Sequence, residues 1–172
     1  MKNDIFITTD TIKKFRKYNI NFDALINSIY SLYNNKISSN INININLCDR
    51  NADGYWFYDE DENTHYIEIN TKFLTRNKET FIKWEYYKEI LTNNNKYILY
   101  FFHILCHELE HAVQLESNDF NNLHLEDSYR IRSDNLWTNK EIDAEIGAYE
   151  NCIRLYKLME VVYDRSSRKS SR

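Results

Sequence analysis

The chain has 172 residues, of which 42% are hydrophobic and 15% aromatic, enough to bury one core without disulfide or metal staples. Its formal net charge is −4, so no broad basic field argues for binding nucleic acid or an anionic membrane. Two glycines and no proline leave asparagine to form the turns, since it tolerates left-handed backbone and bonds to its own neighbours.

The first residues, MKNDIFITTD, lack the apolar core of a signal peptide, and no run approaches the roughly 20 apolar residues of a membrane span. Cys48, Cys106 and Cys152 are odd in number and widely spaced. They read as small buried hydrophobes in a reducing, intracellular setting. Residues 10–19 and 22–36 read as helices, the second because Phe22, Leu25, Ile26, Ile29, Leu32 and Tyr33 recur at helical spacing. The period then changes to two. In NINININL, Ile41, Ile43, Ile45 and Leu47 share one face and Asn42, Asn44 and Asn46 the other, the pattern of a half-buried strand. Turn chemistry at DRNADG and DEDEN sets off two more strands, YWFY and residues 64–69, and a three-stranded antiparallel meander is the simplest assembly.

Helices are expected over 78–91, 96–116 and 139–163, with polar, irregular chain over 117–137. Thr138 and Glu141 form a capping-box pair at the start of the last helix. The expected organisation is a single domain over 1–164 of α+β class, a small antiparallel sheet packed on a helical core. Residues 165–172 form a basic, serine-rich tail too polar to bury, expected to be disordered.

The chemistry concentrates in HILCHELEHAVQLE, residues 103–116. At about 100° per residue, Phe101, Phe102, Leu105, Leu109, Ala112 and Val113 gather on one arc, while His107 and His111 lie together nearly opposite. Two imidazoles one turn apart can share a tetrahedral ion. Glu108 borders the apolar arc, awkward for a purely structural helix. A carboxylate directly after the first ligand reaches water at the metal more readily than the metal itself, which suits a general base.

Two histidines hold zinc weakly, so a third ligand is required. In the last helix Ile142, Ile146, Tyr149, Cys152, Ile153, Tyr156 and Met159 form an apolar arc, with Ala144 and Ala148 at its edge. Glu141 and Glu145 fall inside that arc, whereas Asp143, Glu150, Arg154 and Lys157 face the other way. Two carboxylates on a buried stripe are costly unless a cation or donors answer them.

HELEH on one helix, followed some 30 residues later by EIDAE on another, resembles a zincin-type zinc metallopeptidase of the glutamate-ligand class. The resemblance covers about residues 64–160. It implies Zn2+ held by His107, His111 and one of Glu141 and Glu145, with the other glutamate hydrogen-bonding a ligand histidine. Glu141 best matches the ligand position, although Glu145 stands where the family has aspartate. It further implies Glu108 as general base, hydrolysis of a peptide or protein substrate, and a strand beside the histidine helix, best placed at 64–69, that pairs with extended substrate. Tyr149, His124, Tyr129 and Arg130 are candidates to stabilise an oxyanion. His103 reads as a polar edge residue and His65 as structural. Two rivals remain: a non-catalytic binding protein on the same fold, with tyrosines suited to an interface, and a closed structural zinc site with Cys152 as fourth ligand.

Overall fold

The computed structural model of the protein describes residues 4–9, 20–46, 52–70, 84–92, 95–117 and 139–169. Four strands, β1 (Ile5–Thr9), β2 (Asn40–Asn46), β3 (Gly54–Asp59) and β4 (Thr64–Asn70), form one mixed sheet in the order β1-β2-β4-β3. Among the described residues three α-helices accompany it: α1 (Phe22–Tyr33), α2 (Lys96–Glu116) and α3 (Asn139–Lys169). The class is α+β. Among the described residues no helix is long and apolar enough to cross a membrane.

The alternating isoleucines behave as their period requires. Ile41, Ile43 and Ile45 are fully buried, beside Ile67 and Ile69 of β4, with Ile43 opposite Ile67 and Ile45 opposite Ile69. The order of strands differs from the expected meander. β2 pairs in parallel with β4, and β3 is antiparallel to β4 at the outer edge. Burial explains the exchange. β4 buries Thr64, His65, Ile67, Ile69 and Asn70 and belongs inside a sheet, whereas β3 leaves Tyr55 and Phe57 exposed, as an outer strand can. Residues 64–69 are therefore enclosed on both sides and are not available to pair with a substrate. β1 was not anticipated; it extends the sheet in parallel with β2.

Asparagine does take on glycine and capping duties. Asn21 caps α1 by accepting a hydrogen bond from the Ala24 amide at 3.1 Å, and Asn63 sits at φ 48° in the turn before β4. α1 stops at Tyr33, short of residue 36. Of the helix expected over 78–91, residues 84–91 are described; Trp84–Tyr87 form a 3-10 turn and the rest is not helical. Asn95 interrupts it by donating its side-chain amide to the Ile90 carbonyl at 2.7 Å, while the Thr92 amide donates to the Asn95 side chain. The helix expected over 10–19 and the Thr138 cap lie outside the described residues.

α2 lies over β3 and β4, α1 touches β1, and α3 packs against both helices. α2 is thus covered on more than one side. Phe101, Phe102, Leu105 and Leu109 are buried as expected, but so are Tyr100, His103, Cys106 and Glu108. α3 is rotated from the expected arc. Ala144, Ala148, Cys152, Leu155 and Met159 are buried, while Ile142 and Ile146 are 43% and 56% exposed. Small residues let α3 approach α2 closely, and that turns the two isoleucines outward. α3 also runs on to Lys169, into the 165–172 segment expected as a disordered tail; each added residue gains a backbone hydrogen bond.

Candidate metal centre

The i, i+4 spacing on α2 sets the His107 and His111 rings 4.9 Å apart and at 90° to each other. Glu141, in the first turn of α3, reaches across to both. Its carboxylate lies 3.2 Å from His107 Nε2 and 3.6 Å from His111 Nε2. One ligand atom from each of His107, His111 and Glu141 falls within 4.8 Å of the others, close enough for a single ion.

The opposite ring nitrogens are occupied as well. His107 Nδ1 lies 3.2 Å from Glu145 Oε2, and His111 Nδ1 lies 3.0 Å from Gln114 Oε1. Gln114 in turn donates to the Lys140 carbonyl at 2.9 Å, which ties the histidine helix to the start of α3. Both acceptors call for a proton on Nδ1, so Nε2 is the nitrogen each ring directs at Glu141; a proton there, as on His107, hydrogen-bonds the carboxylate, and its loss would bare a lone pair for an ion. Imidazoles that ligate metal are oriented by outer partners in this way. Two neutral imidazoles and a carboxylate are a borderline donor set that fits Zn2+, so the residues present suit the ion.

Charge is distributed to match. Burial disfavours a charged His107, but hydrogen bonds to Glu141 and Glu145 outweigh it, and its pKa is pushed up to about 10. Hydrogen bonds from His107 and His111 hold Glu141 well below the usual carboxylate range. Glu145 resists its own burial through hydrogen bonds from His103, His107 and Tyr149, and is held low too. Two carboxylates thus surround one proton on His107, in a place where a divalent cation would balance the charge better.

Glu108 is 7% exposed. Burial raises its carboxyl pKa, against the pull of His107 and His111. A raised pKa and a position beside both imidazoles are properties a general base requires.

His103, expected at a polar edge, is buried. Its Nε2 lies 3.1 Å from Glu145 Oε2, and its Nδ1 lies 2.7 Å from the Tyr87 hydroxyl. Tyr149 stacks among Tyr86, Tyr87 and His103 and supports Glu145. Asp143 is exposed and takes no part. His124, Tyr129 and Arg130 lie outside the described residues, as does Cys48. Cys152 is buried with Sγ 3.6 Å from the Leu99 carbonyl, and it is not part of the His107–His111–Glu141 group. Gln114, Tyr87 and Trp56, whose ring lies 5.9 Å from that of His111, were not anticipated. Only Gln114 left a local signal, its three-residue spacing from His111.

No family model, curated protein or solved structure matches the chain.

Proposed function

We propose that this protein is a zinc-dependent hydrolase that cleaves peptide bonds. One observation carries the reading: two imidazoles whose Nδ1 atoms are engaged by Glu145 and Gln114 turn both Nε2 atoms toward a single carboxylate, Glu141. In this reading His107, His111 and Glu141 hold Zn2+, and Glu145 and Gln114 orient the rings.

A bound zinc ion supplies Lewis acidity, acidifying water and polarising a carbonyl. The chain's own residues supply the rest. Glu108 takes the proton of the attacking water on its carboxylate and hands it to the departing amine. Burial of Glu108 between α2 and β3, against Gly54, limits bulk water around that carboxylate. β3, the outer strand bordering α2, takes the place given to residues 64–69 as the strand an extended peptide would meet. Peptide rather than another acyl substrate comes from the zincin resemblance of HELEH and EIDAE.

Glu108→Gln keeps the shape of the side chain and removes its basicity. Purified variant is expected to carry one zinc per chain yet lose about 10²–10⁴-fold in peptide cleavage, the usual contribution of a general base. Cleavage at the wild-type rate by a zinc-loaded variant would remove Glu108 from the mechanism.

A further inference from the structure

Glycine occurs at only two positions in the chain, Gly54 and Gly147. Neither has a positive φ, so backbone conformation demands glycine at neither. What they share is a carboxylate of α2 lying against the bare Cα. At Gly147 a methyl group would come within 2.7 Å of Glu110, whose tip is held by Asn151 through a 2.6 Å hydrogen bond. At Gly54 a methyl group would overlap Glu108 Oε1 and would lie 2.7 Å from Ile104 Cγ2 and 2.8 Å from Glu108 Cγ.

Either the strand or the acid must yield to such a methyl, and the strand is pinned. Gly54 is in register with Ile69, and the Asp53 carbonyl beside it accepts from the Asn70 amide at 2.9 Å. The Asp53 carboxylate also receives the hydroxyl of Tyr100, from the same helix that carries Glu108. The Tyr100–Asp53 bond ties the chain to α2 directly beside Gly54, and the pairing with β4 holds the strand along its other edge. Ile104 is packed in the core. The Glu108 carboxylate is the mobile member.

We propose that Gly54 is a positioning residue for Glu108: its missing side chain makes the slot that holds the carboxylate beside His107 and His111. The proposal rests on the hydrolase reading and names the feature of β3 that serves it. The three atoms nearest a methyl group at Gly54 belong to Glu108 and Ile104 and none to His107, His111 or Glu141, so metal binding and base placement separate.

The test is Gly54→Ala, read by zinc titration, steady-state kinetics and crystal structure. Zinc should bind at one per chain with affinity within about threefold of wild type, while kcat falls by about 100-fold, the effect of a catalytic group moved by an ångström. KM should stay within about threefold, since lost proton transfer is a transition-state effect. In a Glu108→Gln background the same substitution should cause no further loss, because there is no base left to misplace. A kcat near wild type, or an equal fall in the Glu108→Gln background, overturns the proposal. Should Gly54→Ala not fold, Gly54→Ala/Ile104→Ala makes room on the isoleucine side alone and must show the same kcat loss. If wild-type protein with zinc cleaves no peptide, the hydrolase reading fails by itself. The crystal structure then decides for Gly54: a displaced Glu108 carboxylate upholds the slot, and an unmoved one ends it.

Discussion

Helix α2 takes part in two imidazole–carboxylate clusters that look alike in composition and differ in how their lone pairs are used. Near its C-terminus, Glu116 accepts from Ser38 Oγ at 2.6 Å, from the Ser39 amide at 3.1 Å and from Ser39 Oγ, and lies 3.2 Å from His65 Nε2. Trp56 donates its indole N–H to the other nitrogen, His65 Nδ1, at 3.2 Å. His65 is fully buried, and burial lowers its pKa despite Glu116. It is a neutral link, with a donor on one side, an acceptor on the other and no lone pair to offer. Five and nine residues earlier, His111 and His107 use Nδ1 on acceptors and present both Nε2 atoms to Glu141. Both clusters contain His–carboxylate pairs at 3.2 Å. The first stitches a helix to a sheet, whereas the second brings together three atoms that could hold one ion. A short His–Glu distance is therefore no sign of function by itself; the tautomers and the convergence of ring nitrogens make the difference.

The comparison can be broken most sharply at Gln114. If Gln114 serves to orient His111, Gln114→Ala should weaken zinc binding by about 10–100-fold, the range for outer partners of ligating histidines. Competition with a fluorescent chelator would measure it. An unchanged affinity would make Gln114 a mere helix tie, and the two clusters would differ less than their geometry suggests.

A smaller effect sharpens the other side. Hydrogen bonds from Ser38, Ser39 and His65 overcome the burial of Glu116 and push its pKa down to about 2, below its ordinary 4.5. A depressed carboxylate stabilises the fold above about pH 4.5, and that contribution disappears as pH falls toward 2. Glu116→Gln should lower the melting temperature by about 2–4 °C at pH 7, roughly 1 kcal/mol. The gap should narrow between pH 4.5 and 3, with zinc stoichiometry unchanged throughout. A constant gap across that range would mean that the charge of Glu116 contributes nothing.

Much of the His107–His111–Glu141 group was readable because it is local or periodic. His107, Glu108 and His111 are fixed by helical spacing. Glu141 and Glu145 stood out as acids on an arc otherwise apolar, even though that arc is turned so that Ile142 and Ile146 face out. What stayed hidden depends on contacts between distant segments. No local pattern says that β4 lies between β2 and β3, because strand order follows from which strand can afford exposure on the whole sheet. The same holds for Tyr87 reaching His103 and for Trp56 lying between His65 and His111. Five residues, Ile5–Thr9, were too short a run to announce β1, although IFITT is rich in β-branched side chains.

The central claim is that two helices deliver three ligands to one ion. Calorimetric titration of chelator-stripped protein with Zn2+ tests it most directly, alongside His111→Ala and Glu141→Ala. The account predicts one site per chain in wild type, with proton release because His107 must give up its proton, and loss of that site in both variants. Absence of zinc binding by wild type, or binding that survives in both variants, would contradict it.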